Sequence, residues 1–360
     1  MAAASLRPQP ASALDSDARR LAGLDTIRFF CAAWVVMGHV GLPPLPIGPG
    51  GATTTLGWLV RGVYNNVVSG PAAVIVFFII SGICIHLPHA SCNRVPSLWA
   101  HFARRYIRIV PPMLVALLVA RHLLGLNLTL FENSILWSLF AELVYYTIYP
   151  IVLAVRRAGT PWDALVAIAL AAAFSVAATN PSAGNYPSFG LSGNWLLGLP
   201  CWLIGCAVAE RIAASTDGRR ERPRVPVWTL RALILLLAMG CSVLRFHSPL
   251  GYPWTLNLFA LAGGFWLLAE VRHFAVVRPL AITEWAGSWS YSLYLVHLLA
   301  LSSLTLLPLP QMPSLPLWAA KMGYVLAFAL LFAWLVEFPS HKLARVAARS
   351  RSRTLAGEVA

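Results

Sequence analysis

Charge is what this chain has least of. Only 11% of its 360 residues are Asp, Glu, Lys or Arg, and 13 are acidic. A water-soluble domain carries about 25% charged residues, so a soluble globule is excluded. Cysteine is present but unorganised. The six, at 31, 84, 92, 201, 206 and 241, fall mostly inside apolar runs with no paired spacing, which gives neither a disulfide framework nor a zinc signature, and no metal is expected. Inverted internal repeats of the kind that mark many transporters are missing too. Short loops leave no room for a second folded domain. The expected organisation is a flexible N-terminal tail over 1–20, one membrane domain over 21–340 and a basic C-terminal tail over 341–360.

What the chain does have is apolar length. Hydrophobic residues make up 58% of it and the mean hydropathy is +0.70. A hydrocarbon layer takes about 17 to 25 helical residues. Ten runs qualify: 22–41, 70–88, 110–127, 134–155, 161–179, 191–210, 228–246, 254–271, 286–307 and 315–336. The fold class expected is therefore all-α, a polytopic membrane bundle of about ten transmembrane helices. The first run follows Arg19-Arg20 with no clear cleavage site, so it reads as a retained helix and not a signal peptide. A net charge of +14 would suggest nucleic acid in a soluble protein, but here the placement of the charges decides. Only Arg61, Arg121, Arg245 and Lys321 fall on the side away from the N-terminus, and Arg28 lies within the first run; the rest of the 27 Lys and Arg collect on the N-terminal side. The positive-inside rule then puts both termini in the cytoplasm of a multi-pass inner or plasma membrane protein, with no nucleic-acid partner. The loop 41–69, rich in Pro and Gly, reads as an external lid or rim.

Chemistry-bearing residues sit on these apolar helices. Arg28 and His39 are separated by eleven helical steps, about 1100° and about 16 Å, so both point the same way. Intramembrane ionisable groups usually face a bundle interior or wet cavity, although a snorkelling Arg and a terminal His would satisfy the same spacing. In the second run Ser81-Gly82 is a small pair that lets helices approach closely, with Ser81 able to offer a hydroxyl to a cavity. Arg104, Arg105 and Arg108 lie on a short amphipathic helix before Pro111-Pro112, suited either to anionic lipid heads or to a phosphate clamp. Ser138, Glu142, Tyr145 and Tyr149 form one polar stripe on the fourth run, and Ser290, Tyr294 and His297 another on the ninth. A Glu held by a neighbouring helix and a packed, hydrogen-bonded His are the bland readings of Glu142 and His297.

Taken in order, these pieces resemble the membrane-bound acyltransferase family 3, integral-membrane O-acyltransferases. The matches are Arg28 and His39 at the family's R-x10-H spacing, FFIISG at Phe77 to Gly82, RRYIRIVPP at Arg104 to Pro112, LWSLFAE at Leu136 to Glu142, PCWLIGCAVA at Pro200 to Ala209, SYSLYLVH at Ser290 to His297, and EFP at Glu337 to Pro339. Leu143 departs from the second of two adjacent acids in many members. The resemblance implies transfer of an acyl group, commonly acetyl, from cytoplasmic acyl-CoA to a hydroxyl on a carbohydrate or lipid-linked glycan, within membrane lipid. A neutral His suits an alcohol that must lose its proton. His39 is expected as the base with Glu142 orienting it; Arg28, Arg104, Arg105 and Arg108 are expected to hold the donor, and Ser81, Ser138, Tyr145, Ser290, Tyr294 and His297 to line the substrate cavity. Direct transfer and an acyl-histidine both remain open. The competing class is a transporter or flippase for a glycan or lipid.

Overall fold

The computed structural model describes residues 21–44, 54–90, 97–126, 135–215, 225–306, 308 and 314–357, with side chains to 348. The tail 1–20, the middle of the 41–69 loop and most of the 214–226 loop lie outside these residues, as do the side chains after 348. The described residues are helical throughout, without strands. Thirteen α-helices follow in order: α1 (Leu24–Val40), α2 (Thr55–Val67), α3 (Gly70–Ala90), α4 (Leu98–Leu123), α5 (Leu136–Arg157), α6 (Trp162–Thr179), α7 (Gly190–Ser215), α8 (Val227–His247), α9 (Tyr252–Phe274), α10 (Ala281–Gly287), α11 (Ser290–Leu304), α12 (Leu315–Phe332) and α13 (Phe338–Gly357). A π-helical turn, Ala333–Glu337, joins the last two.

Eight helices among the described residues are long and apolar enough to cross a membrane. Each expected run holds one main helix, but in those at 22–41 and 286–307 it shrinks to 17 and 15 residues. Both are trimmed where the chain turns. Gly23 and Gly41 flank α1 with φ of 86°, a left-handed conformation that glycine adopts without steric cost. At the other site the run breaks into α10 and α11. α10 lies against the start of α1, where Gly287 meets the Asp25 backbone. Glu284 of α10 accepts the Thr26 N–H at 2.9 Å and its hydroxyl at 2.7 Å, capping a helix start whose own flanking Gly23 has no side chain to do so.

Three further details depart from expectation. The 41–69 loop contains α2, pinned to the end of α1 by Tyr64 Oη donating to the Met37 and Gly41 carbonyls, and by Trp34 Nε1 donating to the Val67 carbonyl. The arginine stretch is not a short helix ahead of a span: α4 runs through Pro111 and Pro112 without stopping. A proline removes the N–H that would bond four residues back, and the Ile107 carbonyl freed by Pro111 is taken by Ser340 Oγ at 3.0 Å. That donor comes from α13, which packs along α4, so residues 341–357 continue as helix where a tail was expected.

α3 forms the centre. Ile75, Ile79, Ile80 and Ile83 are fully buried on different sides of it, as expected of a helix surrounded by others. Gly82 and Gly205 let α3 and α7 touch backbone to backbone: a Cβ on Gly82 would run into the Trp202 carbonyl oxygen. Neither backbone can give way, so Gly82→Val is expected to cost at least the upper end of the about 1–3 kcal/mol typical of overpacking. Thermal unfolding and folded yield in detergent check this. Gly240→Ala, where nothing lies within 4 Å of the added methyl, should melt no earlier than the unsubstituted protein.

Candidate active site

α1, α3, α4, α5, α11 and the π-helical turn enclose a cavity of about 490 Å³. Its chemistry is graded along the bundle. Contacts fix the direction: on α3 and α5, Phe78 meets Trp137, Ser81 meets Tyr146 and His86 meets Tyr149, so the two helices run parallel. At the end where α1 begins the walls carry Asp25, Arg28, Cys84, Arg105, Arg108, Glu337 and His341. Midway come Ser81, Glu142 and Tyr146. Val74, Phe77, Phe78, Leu139, Ser138 and Tyr294 close the far end. His297, one helical turn beyond Tyr294, and His39 lie past that end and do not line the cavity.

Arg28 is held by Asp25 at 2.8 Å and donates to Cys84 Sγ at 3.1 Å, which sets it in the cavity wall and not in a snorkelling pose. The arginine trio separates. Arg105 and Arg108, three residues apart, line the cavity, while Arg104 is exposed. Arg105 also sits 5.8 Å over the Tyr146 ring, a cation–π distance.

The α5 stripe is split by its neighbours. Ser138 and Glu142 reach the cavity, and Tyr146 joins them, where the sequence stripe pointed to Tyr145 and Tyr149. Tyr145 is fully buried against α7 and donates to the Trp195 carbonyl at 2.8 Å. Tyr149 is taken by His86 at 3.0 Å, and that histidine bonds Glu210 at 3.0 Å with its other nitrogen. Tyr146 donates to Glu142 and shares a 3.2 Å bond with Ser81, so Glu142 is bonded within the cavity and not to His39. Its signal was readable: Tyr146 is one helical turn past Glu142.

His39 meets a different partner. His297 Nε2 lies 3.3 Å from His39 Nδ1, and the two rings are 4.9 Å apart. The tautomers can be assigned from the surrounding acceptors. His297 Nδ1 lies 2.7 Å from the Tyr294 carbonyl and must donate to it, leaving its Nε2 as a lone pair. His39 Nδ1 lies 2.9 Å from the Val35 carbonyl, so it carries the proton and is shared with His297. The free lone pair of His39 is then on Nε2. His39 is exposed and His297 fully buried, which divides them into an accessible base and a fixed support.

Sequence reading assigned Glu337 no site role, although it opens the EFP motif. It is fully buried in the π-helical turn, and its Oε2 accepts the Ser292 N–H at 3.1 Å and hydroxyl at 2.5 Å. Oε1 makes no hydrogen bond and lies 3.5 Å from His341 Nε2. Single-turn π bulges recur at functional sites because the extra residue re-aims side chains. Ser290, also on the wall, is occupied with the Gly287 carbonyl at 2.8 Å. No group of three His, Cys, Asp or Glu among the described residues is arranged to hold a metal.

Apolar helices long enough to span a membrane, around an interior cavity lined by charged side chains, define a multi-pass membrane protein with a polar interior. The family it falls in is specific. The acyltransferase domain family matches residues 21–334, and the chain belongs to that family, the membrane-bound acyltransferase family 3. No curated protein and no solved structure matches it.

Proposed function

We propose that this acyltransferase moves an acyl group, in the first place acetyl, from cytoplasmic acyl-CoA to a hydroxyl of a cell-surface carbohydrate or lipid-linked glycan. The observation that carries this reading is the polarity of the chamber: arginines at one end and a paired, accessible histidine beyond the other. Arg105 and Arg108 suit the phosphates of CoA, since guanidinium forks match phosphate geometry. Arg28, in the same end of the wall and held by Asp25, adds a third cation for the phosphates of the donor. The arm of the donor runs along the cavity toward Phe77 and Tyr294.

In this reading the acceptor oxygen attacks the thioester carbonyl while His39 Nε2 takes its proton. The C–S bond breaks, the CoA thiolate leaves, and the proton follows to it. His39 Nδ1–H keeps its bonds to Val35 and His297 throughout, which supports the ring when it is charged. Ten spans with both termini in the cytoplasm, of an inner or plasma membrane, set the arginine end of the chamber toward the CoA pool. This arrangement rests on the placement of Lys and Arg. Mass spectrometry of surface glycans from a strain lacking this protein tests the acceptor class. The expected result is loss of one acyl increment from a glycan; unaltered glycans, with intracellular acyl donors accumulating nowhere, would overturn it.

A further inference from the structure

Between the donor chamber and the histidine pair stands a partition made of two rings. Phe77 and Tyr294 face each other across the far end of the cavity with centroids 5.7 Å apart. Tyr294 is fixed at both ends: its hydroxyl bonds Ser138 Oγ at 2.7 Å, and its backbone carbonyl accepts from His297 at 2.7 Å. Its ring lies 6.1 Å from that of His297. Phe77 is the looser member, partly exposed to the cavity and without polar anchors. Val74, Phe78 and Leu139 complete an apolar collar around them.

We infer that Phe77 and Tyr294 form a neck that selects the donor by the length of its acyl group, a reading that rests on the chamber being the acyl-CoA site. The chamber works as a ruler with a stop. Phosphates held at Arg105 and Arg108 fix where the pantetheine arm begins, and the arm has constant length, so the thioester of every acyl-CoA arrives at the same depth. The acyl tail enters the neck first. Phe77, the unanchored ring, turns aside to let an acetyl thioester reach the histidine pair; each further methylene must find room between Phe77 and Tyr294, whose two anchors resist. Because Tyr294 also holds His297, displacing it disturbs the support of His39. Phe77 is therefore the specificity-determining residue and Tyr294 the fixed wall against which it works.

Competition binding tests this without knowledge of the acceptor. The protein, purified whole in lipid nanodiscs, is loaded with radiolabelled acetyl-CoA and titrated with unlabelled acetyl-, propionyl-, butyryl- and hexanoyl-CoA. A misfit methylene in a closed apolar site costs about tenfold or more, so butyryl-CoA is expected to compete at least about tenfold more weakly than acetyl-CoA. Phe77→Ala should reverse or abolish that ratio, and Phe77→Trp should steepen it. Opposite shifts in the two variants keep the test decisive if one of them folds poorly. Ratios that stay where they were in both variants would overturn the neck. Absence of labelled acetyl-CoA binding to the unsubstituted protein would instead remove the donor reading itself, and the neck with it.

Discussion

His39→Ala should lower acyl transfer by about 10²–10⁴-fold, the contribution of a positioned general base. The variant should reach the membrane at normal abundance and still bind acyl-CoA, because His39 lies outside the donor cavity and is exposed. His297 is a positioning residue in this scheme. It accepts from His39 Nδ1 at 3.3 Å and touches neither donor nor acceptor, so His297→Ala should retain measurable transfer with donor affinity little altered. Residues working as one unit are not additive. The double variant should thus be little worse than His39→Ala alone. Glu142, bonded to Tyr146 within the cavity, acts apart from the pair, and its substitution should multiply with that of His39. Kinetic measurement of the three single variants and of the His39/His297 and His39/Glu142 doubles separates these outcomes. Multiplying effects at His39 and His297 would show that the pair does not act as a unit.

Arg105→Gln and Arg108→Gln should each weaken donor binding by about tenfold or more. A hydrogen bond to a charged group contributes about 1.5–3 kcal/mol, and about 1.4 kcal/mol is a factor of ten in affinity. Arg104→Gln is the internal control, because this neighbour is exposed and off the cavity wall. All three meet anionic lipid heads in the competing reading, which would make the losses alike and place them in membrane insertion. The chamber reading puts the loss in the apparent KM for acyl-CoA, at positions 105 and 108, with the acceptor KM unmoved.

Much of this was legible in order along the chain. Apolar runs mark the helices because a spanning segment must be long and nearly free of charge, and the eleven-residue spacing places Arg28 and His39 on one stripe before any fold is known. The parts that were not legible depend on neighbours distant in sequence. α4 passes through two prolines because Ser340 takes a freed carbonyl; no local pattern announces that. The helical wheel puts Ser138, Glu142, Tyr145, Tyr146 and Tyr149 within a broad sector, but packing by α7 and α3 decides which tyrosine reaches the chamber. Glu142 is the support that the sequence offers for His39, whereas the ring that meets His39 is a histidine 258 residues away. Glu337 gained its place through the register shift of a π-helical turn, which sequence periodicity does not reveal.

The central claim is that one chamber delivers an acyl thioester to His39. Its most direct test is release of free CoA thiol by the purified protein in nanodiscs, supplied with acetyl-CoA and glycan extracted from the cell surface, compared with His39→Ala at equal donor occupancy. The account predicts CoA release matched mole for mole by acetyl ester on the glycan, and loss of both in the variant although acetyl-CoA remains bound. Equal release by the two proteins, or ester formed without consumption of acetyl-CoA, would contradict it.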